Sequence, residues 1–229
     1  MLTERDRKYL LKLKKTIITD CVKCHGTDFR CQCLDLYRLE FKKVKANIAA
    51  KYRSLTFDQI THPQTAAVRA KIAEYLSDLE NQLDNGKGLY LYGSTGLAKT
   101  GIASIVLIEA LRKGRSGYFI TLDGLVDLYA GGWKDDDLKE QYKDVVLGTD
   151  VLVIDEVGNE SKTNNQLVSG CLNDVLRKRF NNLQTTIITS NLYFKKTKDV
   201  YGEEVYSILT ECTTPYEFTG VDFRQGMAK

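Results

Sequence analysis

Proline is nearly missing from this 229-residue chain, which has only Pro63 and Pro215. No Gly/Ser/Pro-rich stretch stands between folded segments, so a long flexible linker is excluded. No internal repeat is present, which excludes solenoids and propellers. No apolar run approaches the roughly 20 residues that a membrane-spanning helix requires. The N-terminus is basic and amphipathic but lacks the apolar core of a signal peptide. Together these absences predict a cytosolic protein with no membrane segment.

With 43% hydrophobic residues, the chain can bury one medium-sized core and carry a small appendage. Its charge is uneven. Residues 1–55 hold 14 Lys/Arg against 6 Asp/Glu, a net of +8, whereas the remaining 174 residues carry −5. A basic head on a mildly acidic body suits either a polyanion or an acidic protein surface, or it is simply a solvated helix face.

Four of the six cysteines fall within thirteen residues, as Cys21-Val-Lys-Cys24 and Cys31-Gln-Cys33. The C-x2-C…C-x-C spacing folds as two knuckles facing one tetrahedral ion, with His25-Gly26-Thr27-Asp28 as the turn between them. It predicts a structural Zn²⁺ site rather than a redox pair or free thiols. Cys171 and Cys212 sit in apolar contexts and read as core.

The stretch Gly88-Leu-Tyr-Leu-Tyr-Gly93-Ser94-Thr95-Gly96-Leu97-Ala98-Lys99-Thr100 carries the most chemistry. A short apolar strand runs into the spacing G-x-x-x-x-G-K-[ST], and a helix follows. Such a loop wraps a phosphate with backbone N–H groups at a helix N-terminus, while Lys99 reaches the phosphate oxygens and Thr100 offers a hydroxyl to Mg²⁺. Ala98 replaces the second glycine. Ordinary right-handed helical dihedrals at Ala98 would accommodate its methyl group.

A second motif completes the site. Val151-Leu-Val-Ile-Asp155-Glu156 is an apolar strand ending in two carboxylates, a Walker B pattern. Asp155 is expected to hold the hydration shell of Mg²⁺, and Glu156 to act as general base toward the attacking water. Thr185-Thr-Ile-Ile-Thr-Ser-Asn191 ends another strand. The Asn191 amide either positions the lytic water as a sensor or caps the next helix. These motifs point to ATP as the ligand.

Strands are predicted at 88–92, 117–121, 150–154, 184–189 and 215–219, with helices between them. The head is read as a helix over 4–18, the cysteine knuckle, a helix over 35–45, and a connector over 46–58. A helix then opens within 58–65 and runs to about Leu83. Four of the strands are almost uninterruptedly apolar, which implies a parallel sheet covered by helices on both faces. The expected domains are 1–55, a basic zinc-binding head, and 56–229, an ATPase domain.

With these residues assembled, the chain resembles replicative helicase loaders of the DnaC/DnaI type, in their phage-like branch, and also the transposition ATPase IstB, which shares that AAA+ domain. The segments carrying the resemblance are ANIAAKYRSLTFD, GKGLYLYGSTGLAKT, DVLVIDEVG, LRKRF…TTIITSN, YGEEVYSIL and GVDFR. It implies an AAA+ P-loop NTPase without the usual helical lid, behind a zinc-containing helicase-binding head. The end of the chain at Lys229 agrees with the missing lid. The same resemblance implies a nucleotide-sensing role for Arg224. It also implies an arginine finger on the helix containing Tyr206-Ser-Ile-Leu209, where this chain has Ile208 instead. Either Arg177 or Arg179 substitutes, or hydrolysis between subunits is slow.

The function implied is ATP-dependent loading of a hexameric replicative helicase onto single-stranded DNA, with self-assembly into an oligomer or helical filament. Tyr129, Trp133 and Lys134 are the candidate DNA contacts. Two alternatives are an IstB-like ATPase that activates a transposase and a zinc-containing adaptor that binds nucleotide with little turnover. The zinc head favours the loader.

Overall fold

The apolar runs around Leu89–Leu91, Val151–Ile154 and Ile187–Ile188 are buried on both pleat faces, which only the interior of a covered parallel sheet allows. The computed structural model describes residues 3–60, 66–159 and 165–220. Five parallel strands, β1 (Gly88–Gly93), β2 (Gly117–Thr121), β3 (Val151–Val157), β4 (Thr185–Ser190) and β5 (Thr213–Phe218), lie in the order β2-β3-β4-β1-β5. Pro215 lies on β5, an edge strand, where a missing N–H does no harm to the ladder.

One sheet face, with Tyr90, Leu152, Ile154 and Ile188, packs against α6 (Leu122–Gly131), α7 (Asp136–Val146), α8 (Asn165–Asn181), α9 (Thr197–Tyr201) and α10 (Glu203–Cys212). The other face is crossed by α5 (Lys99–Arg112), which is apolar nearly all round and buried accordingly. Cys171 and Cys212 are core residues, as read. All five expected strands are present and pair in one sheet, and β3 continues three residues beyond Ile154. Among the described residues no helix follows β5.

The chain divides into two compact units, up to Ser54 and from Leu55 onward. In the first, α1 (Glu4–Leu13) starts with a capping box between Thr3 and Asp6 and continues as a π-helical turn over Lys14–Thr19. The cysteine knuckle follows, and α2 spans Gln32–Lys45. Residues 46–54, expected to be a connector, belong instead to this unit. Ile48 is fully buried, and Arg53 donates to the Ile48 carbonyl (2.8 Å) and pairs with Asp6 (2.9 Å). A second buried pair joins Lys43 to Glu40 at 2.7 Å, with Lys43 also donating to the Arg53 carbonyl.

The helix predicted from 58–65 to Leu83 is two helices, α3 (Ala66–Ser77) and α4 (Leu79–Asp84), broken at Asp78. The start expected for it falls partly on 61–65, outside the described residues.

Ile208 does not stand at an open subunit edge. Only 8% of it is exposed, and it packs in the core formed by α8, α10 and the sheet. Its α10 neighbours are Glu203, Glu204 and Glu211, which line a surface groove with it. Ile208→Arg is therefore expected to lower stability by about 1–3 kcal/mol through overpacking. It should not raise ATP turnover, because those carboxylates would hold the guanidinium locally. A thermal melt with an unchanged midpoint, or a rate gain at concentrations where subunits associate, would contradict this placement.

Candidate nucleotide site

β1 delivers the phosphate-binding loop at its carboxyl end. Gly93 has φ +135°, and a Cβ there would lie 2.1 Å from the Phe218 carbonyl oxygen, so the strand-to-loop turn beside β5 admits only glycine. Leu97 is buried and anchors the loop in the core, while Ser94 and Thr95 are exposed. Ala98 differs from expectation. Its dihedrals are φ +63°, ψ +15°, so it takes the left-handed conformation of the glycine it replaces. For a residue with a Cβ this costs about 1–2 kcal/mol. The turn geometry of the loop overrides the local preference of alanine. No side chain caps α5, so its first-turn N–H groups face the loop, as anion binding at a helix N-terminus requires.

Lys99 is 8% exposed. Its Nζ donates to the carbonyls of Gly93 and Ser94, both at 2.7 Å, and to Asn191 Oδ1 at 2.9 Å. The Thr100 hydroxyl donates to Asp155 Oδ1 at 3.0 Å, and the Thr189 hydroxyl makes a short contact to the same oxygen. Residues 93–100, 155 and 191, far apart in sequence, thus meet at the carboxyl ends of β1, β3 and β4. That is where ligands bind in open parallel sheets.

Glu156 follows Asp155 but is exposed, and its φ is +65°. A bulge between Ile154 and Val157 shifts the β3–β4 register here. Bulges re-aim side chains at strand ends, and this one turns Glu156 out of the sheet. Arg224 lies outside the described residues.

A substitute arginine finger would reach into a neighbouring subunit's site and must therefore be exposed. Arg179 is wholly enclosed, donating to the carbonyls of Val146, Thr149, Asp150 and Thr185 and to the Thr186 hydroxyl at 2.7–3.0 Å. Burial draws its pKa down to about 9. Its acceptors cluster at the amino ends of β3 and β4, opposite the loop, so it clasps the sheet and is no finger. Arg177 is exposed and pairs with Glu204 at 3.3 Å and with Asn173. Trp133 is 67% exposed, with Tyr129 edge-on to it at 5.5 Å.

In the first unit, the sulfur atoms of Cys21, Cys24, Cys31 and Cys33 all lie within 4.8 Å of one another. Cys21 and Cys31 are 3.8 Å apart, and Cys24 and Cys33 are 3.5 Å apart. A Zn–S bond of about 2.3 Å gives tetrahedral edges of about 3.8 Å, so the set fits zinc. Backbone N–H groups of Lys23 and Cys24 donate to the Cys21 sulfur and draw its thiol down to about 7, whereas burial pushes Cys33 up to about 12. His25 takes φ +47° at the turn and is not among the clustered ligands. Cys33 sits in the first turn of α2, which begins earlier than the 35–45 expected.

The parallel sheet, the loop and the acidic strand end define a P-loop NTPase of the AAA+ class. The sequence profile of IstB-like ATP binding proteins matches residues 38–210, and the chain belongs to that family. The replicative helicase loader DnaI of Bacillus subtilis (strain 168) is 30% identical over 138 residues, covering 59% of this chain and 43% of that protein. An ATP-binding protein of insertion sequence IS5376 from Geobacillus stearothermophilus is 28% identical over 150 residues, covering 66% of this chain and 57% of that protein. The chain therefore spans about half the length of these relatives. The crystal structure of the DnaC helicase loader superposes with a TM-score of 0.64 at 25% identity, covering 75% of this chain and 100% of that one. The relatives include the DnaC/DnaI type by sequence and by structure.

Sequence reasoning missed three features of the site: the left-handed Ala98, the bulge under Glu156, and Thr189 between the Asp155 carboxylate and the Glu156 N–H. A threonine inside an apolar strand was the one available signal for the last.

Proposed function

We propose that this chain is an ATPase that loads a hexameric replicative helicase onto single-stranded DNA. The observation that carries the reading is the junction of Lys99, Thr100, Asp155 and Asn191 at one sheet end in a chain related to helicase loaders. Lys99 and the loop N–H groups bind the β- and γ-phosphates, and binding draws Lys99 away from its loop carbonyls. Thr100 and Asp155, already in contact, are the residues that would hold Mg²⁺ and its waters. When bound, that ion neutralises charge on the phosphates. Glu156 takes the proton from the attacking water, and Asn191 orients that water. The four cysteines hold zinc and shape the 1–55 head, which engages the helicase. The nucleotide acts as a glue between subunits of an oligomer or filament, and its hydrolysis releases them. Among the described residues no helix is long and apolar enough to cross a membrane, in keeping with a cytoplasmic site of action.

The test is transfer of the helicase to circular single-stranded DNA, which has no end to thread. Helicase bound per circle should rise with this chain and ATP, and not with the Lys99→Ala variant. Failure of the chain to associate with the helicase would remove the loader reading. The likeness to the insertion-sequence protein supports a second reading, activation of a transposase on duplex DNA, which strand transfer by that enzyme with and without this chain and ATP would reveal.

Trp133 carries a further expectation. It is the sole tryptophan and exposed, so base stacking on it should quench its fluorescence directly. Trp133→Ala should weaken single-strand binding by about tenfold, the scale of one stacked base, with an unchanged melting temperature. Unaltered affinity would assign DNA contact elsewhere.

A further inference from the structure

We propose that Thr189 is the positioning residue of the hydrolytic site, setting both Walker B carboxylates through one hydroxyl. This rests on the ATPase reading above. Ile154 pairs with Ile188 and Val157 with Ser190, so Asp155 and Glu156 on β3 together oppose the single residue Thr189 on β4. Two residues facing one is the signature of a bulge, and a bulge leaves a ladder group without its usual partner. Here that group is the Glu156 N–H, and it donates to Thr189 Oγ1 at 3.2 Å.

A hydroxyl has one proton and accepting lone pairs. With a lone pair engaged by the Glu156 N–H, its proton goes to Asp155 Oδ1, the contact observed. Thr100 donates to that same oxygen. Thr189 therefore holds the Asp155 carboxylate through the same Oδ1 that Thr100 engages. It also anchors the backbone of Glu156 in its left-handed conformation, at φ +65°, which an unpaired residue would leave. Thr189 is itself held: it is 2% exposed, it pairs with Leu91 of β1, and its β-branched side chain is stiff at χ1. Serine could make both bonds with less constraint, and valine, of similar shape, neither.

Thr189→Val is expected to lower kcat about tenfold, the value of one such hydrogen bond. Nucleotide affinity without Mg²⁺ should stay within about twofold, because the loop is intact. The Mg²⁺ concentration giving half-maximal stimulation of nucleotide binding should rise. Thr189→Ser should recover most of each loss. Amide exchange in the full chain supplies a readout independent of turnover. The Glu156 N–H should be protected in wild type and in Thr189→Ser, and should exchange rapidly in Thr189→Val. Rapid exchange of that amide in wild type would overturn the proposal, as would equal kcat in all three proteins. If wild type shows no turnover, the ATPase reading fails, while amide exchange and the Mg²⁺ response still decide whether Thr189 holds the two carboxylates.

Discussion

Lys99→Ala is expected to reduce ATP affinity by at least two orders of magnitude. The lysine is the cation that the loop itself supplies, and its Nζ already lies at the loop mouth between Gly93, Ser94 and Asn191. Charge-assisted bonds to phosphate are about twice as strong as neutral ones, and truncating a buried charged partner typically costs about 2–5 kcal/mol. The fold should survive, since these acceptors, two loop carbonyls and the Asn191 amide, belong to the end of the sheet and not to its apolar core. Glu156→Gln is the contrasting variant. Glu156 is exposed, with its backbone N–H bonded to Thr189 and its carbonyl to the Asn159 N–H, and it lies outside the loop, so nucleotide affinity should persist while turnover falls by about 10²–10⁴. Fluorescent-nucleotide titration separates the two. Undiminished affinity in Lys99→Ala would remove the loop as the site. Equal turnover in Glu156→Gln would leave the carboxylate without a catalytic role, and a wild type inert with both DNA and helicase present would favour a nucleotide-binding adaptor.

Loss of the metal should be as drastic for the first unit. Elemental analysis is expected to find one Zn²⁺ per chain, held by Cys21, Cys24, Cys31 and Cys33. Structural zinc contributes about 10–16 kcal/mol of apparent binding free energy in small metal-dependent folds, more than a unit of about fifty residues can replace from its own core. The core there is thin, with Leu10, Val44, Ala46 and Ile48 as the principal buried apolar residues besides the cysteines. Cys24→Ser should release the ion and expose residues before Ser54 to limited proteolysis. Nucleotide binding should stay within about twofold, because the second unit has a separate core. Metal-free protein with an intact head, or a Cys21–Cys24 disulfide in fresh preparations, would defeat the zinc assignment.

Several elements were legible in the amino-acid order because their signals are local. The loop spacing, the apolar strand ending in Asp155-Glu156, and the paired cysteines each sit within thirteen residues, where backbone geometry and ligand chemistry constrain residue type directly. Strand and helix alternation predicted the parallel sheet for the same reason: strands buried on both faces must be apolar at every position. Element limits were less legible. The segment 46–54 resembles a linker in composition, yet Arg53 bonds it back to Ile48 and Asp6. Asp78 breaks a helix whose apolar pattern runs on through it.

Sequence alone determined the class of fold, the phosphate-binding loop, its acidic partner strand and the cysteine set. Tertiary structure alone decided where Arg179, Ile208 and Thr189 lie, and the left-handed turn at Ala98. Arg179 and Ile208 look available for chemistry on a helix face, but whether a side chain meets solvent or a sheet end depends on what packs over it. Thr189 acquires its position only when β4 lies beside a bulge in β3, a register that neither strand encodes by itself. Ala98 favours a helix locally, yet adopts φ +63° because Gly93 and Leu97 pin the loop on either side. Local chemistry is written residue by residue, whereas these four assignments depend on contacts between segments distant in the chain.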